Sequence, residues 1–325
     1  MSAARDWAEL LRVPALFTVP GDALAGAAAT GLRPNHRTLL AIGSSLCLYE
    51  AGMALNDWAD RAEDAVERPE RPLPSGRIAP PAALAAAAAL TAAGLTLASR
   101  AGRPSLAVAG ALAGTVWAYD LGVKRTPAGP AAMAAARGLD LLLGATATVG
   151  RGTSRKPSHR PSRKPSHGPS RKPSHRPSAK AAVSSAGVLA AHTLAVTAVS
   201  RNEAQGGSSV TPLTALAATT ALAQVVGGRR GLRRGTDAGP GRAPGRQALR
   251  GALALAYVGT TAKPLFHAAL NPSPPLTQCA VGGGIRAMIP LQAALAARAG
   301  AVGTALLTAA LAPAARKFAR KVSVT

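Results

Sequence analysis

Asn56, Asp57, Asp60 and Asp64 are followed closely by Arg68-Pro69 and then by Arg71-Pro72-Leu73-Pro74-Ser75-Gly76, a gathering of acids and proline-fixed arginines in one short stretch. On a continuous helix the aspartates, at i, i+3 and i+7, fall on one face, where they could hold a divalent cation. Magnesium keeps several waters and takes one or two carboxylates together with phosphate oxygens of a bound ligand. Arg68 and Arg71 suit the same ligand, because a guanidinium grips phosphate oxygens in a bidentate fork. The pattern points to magnesium and a diphosphate. The plain alternative is a charged loop that merely ends a helix, which would suffice for any single aspartate. The shared spacing, the companion Asn56 and the rigid arginine segment together favour the chemical reading.

Long apolar segments must position this stretch. Residues 81–99, 104–119, 181–200, 208–228 and 299–315 carry no formal charge, and each is near the length a bilayer crossing requires. Alanine dominates them, so a soluble alanine-rich bundle is the competing architecture, but this many charge-free runs favour the membrane. Apolar runs set against polar breaks give helices near 10–31, 37–56, 80–99, 104–120, 128–149, 181–200, 208–227, 249–268 and 280–298, with a shorter run at 300–314. Proline and glycine, such as Pro34, Pro80, Pro104, Pro127, Gly150, Pro212 and Pro272, stand at many of the breaks. The expected fold is an all-α, polytopic membrane bundle of about nine transmembrane helices, a single domain over residues 1–325.

The formal charge of +24 fits contact with anionic lipid headgroups. Nucleic-acid binding is disfavoured, because the basic residues lie between apolar segments without aromatic interleaving or a reader module. Residues 151–180 contain ten Lys or Arg and no acid. Within them R-K-P-S-H-x-P-S recurs at Arg155–Ser162, Arg163–Ser170 and Arg171–Ser178, a proline-rich pattern that opposes helix and core alike. The expectation is a basic, low-complexity, disordered loop. His159, His167 and His175 recur in it, but no ordered backbone would hold them on one metal. Cys47 and Cys279 imply no disulfide framework. Arg5, Asp6 and Glu9 precede the first apolar run, unlike a cleaved signal, so that run is expected to stay as a membrane helix.

The N-D-x-x-D-x-x-x-D run from Asn56 and the R-P-L-P-S-G run from Arg71 resemble the UbiA superfamily of intramembrane prenyltransferases. The resemblance covers most of the chain. It implies transfer of an isoprenyl group from an isoprenyl diphosphate donor to an unidentified acceptor, with Mg2+ as cofactor, in an integral protein of the bacterial plasma membrane. Asp57 and Asp60 would be the principal metal ligands, supported by Asn56 and Asp64, with Arg68 and Arg71 on the diphosphate. Tyr119, Lys124 and Arg125, in Y-D-L-G-V-K-R-T, resemble the family's loop over the active cavity. That loop implies a catalytic role for Tyr119 and Lys124 beside Asp57 and Asp60, and diphosphate binding by Lys124 and Arg125. The bland reading of the two cations is contact with lipid phosphates. Tyr119 or Trp117 could face an allylic carbocation.

The second acidic site departs from the pattern. Where relatives commonly carry D-x-x-x-D, this chain reads Ser200-Arg201-Asn202-Glu203-Ala204-Gln205-Gly206-Gly207. Only Glu203, with Asn202, is left to hold a second ion, and a divergent, EboC-like branch is the expected kin. A non-catalytic isoprenoid-lipid binding or carrier protein is the second reading. The membrane phosphoalcohol transferases are a poor match, since D-G-x-x-A-R is absent. Counting spans puts loops 56–80, 120–128 and 200–208 on one membrane face and the basic insert and the 229–250 loop on the other, against the positive-inside tendency if the active face is cytoplasmic. Ionisable residues within the spans, Asp22, Glu50, Arg137, Asp140, His192, Lys263 and His267, would face a cavity or a partner. Arg137 and Asp140, at i and i+3, are expected to satisfy each other.

Overall fold

The structure is a computed structural model and describes residues 3–150, 178–203, 206–228 and 244–322. Its helices are α1 (Ala3–Leu10), α2 (Pro20–Ala29), α3 (His36–Ala59), α4 (Arg61–Glu67), α5 (Pro80–Ala101), α6 (Arg103–Leu121), α7 (Gly129–Val149), α8 (Ala179–Ser200), α9 (Val210–Gly227), α10 (Pro244–Leu270), α11 (Pro274–Arg298) and α12 (Val302–Val322). No strand occurs among the described residues. Proline opens α2, α5, α6, α7 and α11 within their first two positions, where its missing N–H costs nothing. Six helices, α3, α5, α7, α8, α9 and α11, are long and apolar enough to cross a membrane, and shorter apolar stretches cover Leu16–Ala29 and Val302–Ala315.

Two expectations are corrected. The run over 10–31 is not one helix: α1 ends at Leu10, a 3-10 turn covers Val13–Thr18, and α2 begins at Pro20. Pro14 and Pro20 cannot donate into a continuous helix, and the chain turns at Arg12, whose φ of 50° is left-handed. The aspartate stretch is not one helix either. Asp60 sits at φ −91° and ψ 3° between α3 and α4, so Asp57 and Asp64 belong to different helices.

Small residues set the packing. A Cβ on Gly26 would run into the Leu141 carbonyl, and one on Gly144 into the Ala23 backbone, so α2 and α7 cross at backbone contact. Close approach of this kind drives association where lipid removes the hydrophobic advantage. Asn35 caps α3 in a reciprocal box with Thr38. Its side chain also donates to the Thr148 carbonyl at 3.1 Å, tying α3 to the end of α7.

The three loops expected on one face do meet. Lys124 lies 2.7 Å from Asp60, and Arg201 donates to the Thr126 carbonyl at 2.6 Å. Residues 151–177 of the basic insert and 229–243 of the arginine-rich loop fall outside the described residues. The insert's flanks lie at the other end of the bundle, where Ser178 N–H reaches the Thr30 carbonyl at 3.4 Å.

Candidate active site

At the end of α3, Asp57 is buried and takes the Arg12 guanidinium at 2.8 Å, with Arg71 at 3.8 Å. Arg71 also reaches both oxygens of Asp64, at 3.0 and 2.8 Å. Its position follows from the prolines and from turns that fold the segment back, Ser75 N–H to the Arg71 carbonyl at 3.0 Å and Ile78 N–H to the Pro72 carbonyl at 3.0 Å. Arg68 stands farther out, 3.8 Å from Asp64 and half exposed. Asp60 faces the other way and meets Lys124 at 2.7 Å and Arg125 at 3.2 Å. Each of the three aspartates is therefore held by cations from other segments.

Asn56 donates to Asp120 at 3.1 Å. Asp120 and Arg12 are site residues that the sequence reading passed over. Asp120 was visible inside Y-D-L-G-V-K-R-T, next to the tyrosine that was singled out. Arg12 is an isolated arginine with no motif, and only the bend at its left-handed backbone brings it to Asp57. In the third loop Asn202 donates to Thr211 at 3.1 Å and serves the loop itself. Burial pushes the Glu203 carboxyl up from its ordinary pKa, and the charge of Arg68 draws it back, so this loop too lies within electrostatic reach of the arginine segment.

Behind this charged rim lies a cavity of about 460 Å³. Arg12, Asn56, Tyr119, Asp120 and Ser200 line it beside the rim, and Thr18, Ser45, Arg137 and Asp140 line it farther along the bundle. Tyr119 and Tyr49 line it, whereas Trp117 is turned toward α5 and donates to Thr91 at 3.1 Å. The other ionisable residues of the spans separate into roles. Arg137 pairs with Asp22 at 3.0 Å rather than with its helical neighbour, and Asp140 accepts the Ser45 hydroxyl. That corrects the expected i, i+3 pair, since the backbone contact of α2 with α7 at Gly26 and Gly144 brings Asp22 alongside Arg137, while Asp140 is taken by Ser45. His192 is buried between the Tyr257 hydroxyl at 2.9 Å and the Gly284 carbonyl at 3.0 Å. Lys263 and His267 are exposed.

Among the described residues no three His, Cys, Asp or Glu side chains converge well enough to hold an ion unaided. Magnesium does not require that, since it takes one or two carboxylates and completes its shell with water and phosphate oxygens. Asp57 and Asp64 share Arg71, so their oxygens face a common space, and the donors are all hard oxygens. The residues fit that ion.

A sequence profile of the UbiA prenyltransferase family matches residues 15–226, well over half of the chain. The chain belongs to the UbiA prenyltransferase family. It is an integral membrane protein on that ground and on its apolar helices. It is 41% identical over 104 residues to a protein of Methanothrix thermoacetophila named digeranylgeranylglyceryl phosphate synthase, a match covering 31% of this chain and 39% of the relative. It is 34% identical over 128 residues to a Methanopyrus kandleri protein of the same name, covering 38% of this chain and 45% of that one. The chain thus spans less than half the length of these curated relatives. Among solved structures, a digeranylgeranylglyceryl phosphate synthase aligns with 93% of this chain and all of its own at a TM-score of 0.57 and 16% identity. A UbiA homologue from Archaeoglobus fulgidus bound to GPP and Mg2+ aligns with 92% of this chain and 99% of its own at a TM-score of 0.51 and 12% identity. These likenesses show the fold.

Proposed function

We propose that the protein moves an isoprenyl group from an isoprenyl diphosphate to an acceptor and releases diphosphate. The observation that carries this reading is one arrangement: paired cations and carboxylates from separate segments cluster beside Arg12, Asn56 and Asp120, which line a largely apolar-walled cavity. Arg71, Arg68, Lys124 and Arg125 bind the diphosphate, exchanging the aspartate partners they hold now for phosphate oxygens. Asp57 and Asp64, which share Arg71, would hold magnesium, with Asn56 beside Asp57 and Asp60 turned to the cations of the neighbouring loop; the ion when bound supplies positive charge to the phosphate oxygens. The bond between C1 and the bridging oxygen breaks with its electrons leaving on diphosphate, and the cations stabilise that developing charge. The Tyr119 and Tyr49 rings border the space where the allylic cation forms. An acceptor nucleophile bonds to C1 and gives its proton to water at the mouth.

The name of the archaeal relatives makes a glyceryl phosphate ether the first acceptor class to try. The test is release of inorganic diphosphate by protein in nanodiscs, from several isoprenyl diphosphates, with that acceptor or a membrane-lipid extract. Magnesium-dependent release that needs the acceptor is expected. Donor binding without release under every acceptor would favour the second reading, a non-catalytic isoprenoid-lipid binding protein, for which the lone Glu203 in the third loop is the supporting observation.

A further inference from the structure

A second cavity, of about 230 Å³, opens at the end of the bundle away from the charged rim, where α2 and α11 finish and α8 begins. Its lining includes Thr30, Ser178, Ala181, Ser185, Leu295 and Arg298. The acceptors around it are already in use. Thr30 donates its hydroxyl to the Ala27 carbonyl at 2.7 Å, and the Thr30 carbonyl takes Ser178 N–H. The helix ends are closed by Gly31 N–H on the Ala28 carbonyl and Gly300 N–H on the Ala297 carbonyl, both at 2.9 Å. Each glycine holds the left-handed conformation that such a cap requires, at φ 79° and 83°.

The donors, by contrast, are left over. Ser178 Oγ accepts Ala181 N–H at 3.2 Å as the cap of α8, which leaves its own proton to give. Ser185 is only 5% exposed, and its hydroxyl has no hydrogen bond among the described residues. It does not take the carbonyl one turn back, as Thr193 on the same helix does at 3.0 Å. Arg298 Nη2 donates to Ser184 Oγ at 2.9 Å, while its buried Nη1 has no partner. The first amides of α8 add the positive end of a helix dipole. No acid stands near to balance this charge: every described Asp and Glu lies within the spans or at the rim end, whereas Arg33, Arg37, Arg100, Arg103, Lys180 and Arg246 share the end with Arg298. A partly dehydrated guanidinium without a counter-ion costs free energy that an anion would recover.

The structure assigns to this cavity a phosphate group, a monoester or diester whose oxygens take the Ser178 and Ser185 hydroxyls and the Arg298 guanidinium. Hydroxyl and guanidinium donors facing no free acceptor suit phosphate oxygens and repel cations. Ser178 and Arg298 stand at the ends of helices of membrane-crossing length, so the cavity lies at headgroup level, where both lipid phosphates and free phosphate reach it. It is distinct from the rim, because α8 runs 22 residues between the two ends, about 33 Å at about 1.5 Å per residue. An occupant would tie α2, α8 and α11 together.

The test uses the full protein, delipidated in a maltoside detergent that carries no phosphate. Dioctanoyl phosphatidylglycerol and inorganic phosphate are titrated separately at fixed ionic strength, with the melting midpoint and native mass spectrometry as readouts. A saturable rise with one molecule bound is expected; a rise with the lipid alone identifies a headgroup as the source, and a rise with inorganic phosphate as well identifies the free ion. Arg298→Gln weakens binding about tenfold. Ala181→Leu fills the cavity, leaves every charge in place and abolishes saturable binding, so it decides the matter if Arg298→Gln does not fold. Arg71→Gln at the rim and Arg103→Gln at the same end but outside the lining leave binding within about twofold. The assignment is overturned if neither probe raises the midpoint, if Ala181→Leu leaves the rise intact, or if Arg103→Gln removes it as fully as Arg298→Gln, the mark of a diffuse basic surface.

Discussion

Replacing Asp57 by asparagine keeps the shape of the side chain and removes one negative charge at the rim. Two consequences differ in size. In the resting protein Asp57 is held by Arg12 at 2.8 Å, and the Arg12 side chain is 40% exposed. Asp57 is buried, but Arg12 can turn to water once its partner is neutral, so the loss is about 1 kcal/mol or less, the fold survives and its unfolding midpoint in detergent drops only slightly. In the reaction the lost carboxylate would have held magnesium against the departing diphosphate. Removing one preorganised electrostatic contact of that kind costs on the order of 3 kcal/mol, roughly a hundredfold in turnover. The assay is diphosphate release at a saturating isoprenyl diphosphate across a magnesium titration, with a thermal melt on the same preparation. Asp57→Asn shows a near-normal melt, a loss of about a hundredfold in turnover and a shift to higher magnesium. Turnover within about threefold of the unmodified protein in a properly folded sample would refute the reasoning.

Lys124→Met lowers turnover by about tenfold or more, and the charge swap Asp60→Lys/Lys124→Asp restores the melt without restoring turnover; a swap that restores both would make the 2.7 Å pair structural only. Glu50 is buried with neither carboxylate oxygen partnered among the described residues, so Glu50→Met raises stability by about 1–3 kcal/mol with turnover retained, and a fall in turnover at unchanged stability would show that Glu50 takes part in the reaction. Gly144→Val forces α2 and α7 apart where a Cβ already meets the Ala23 backbone; it abolishes folded protein on size-exclusion chromatography in detergent, and a normal profile would contradict the crossing. Deleting residues 155–177, which removes the repeat but keeps the Ser178 cap of α8, leaves melting and diphosphate release unchanged, and loss of either would assign the repeat a role.

The order and nature of the apolar segments were legible because most runs between polar breaks have bilayer length, and each except the first, which a bend divides, falls within a single helix of the structure. The charged rim was legible where residues cluster in sequence: Asp57, Asp60, Asp64, Arg68, Arg71, Lys124 and Arg125 come together as two motifs. What stayed hidden depends on distance along the chain. Arg12 meets Asp57 from 45 residues away, and Arg137 prefers Asp22 across a helix crossing that glycine permits. Periodicity speaks only of neighbours on one helix, so it suggested Asp140 for Arg137. The i, i+3, i+7 spacing also put the three aspartates on one helix face, because nothing local at Asp60 signals a break as proline does.

The first helix has a use beyond the site. Arg77, in the segment that follows the arginine motif, clasps Asp6 at 2.6 Å and Glu9 at 2.8 Å, while Trp7 and Leu10 pack with Leu73 and Ile78. The amino-terminal helix is thereby pinned to the reactive end of the bundle. An epitope or a single reactive cysteine placed ahead of Ala3 would share a compartment with the diphosphate, so its labelling by an impermeant reagent in intact cells would report which compartment must deliver the water-soluble reactants and collect the diphosphate.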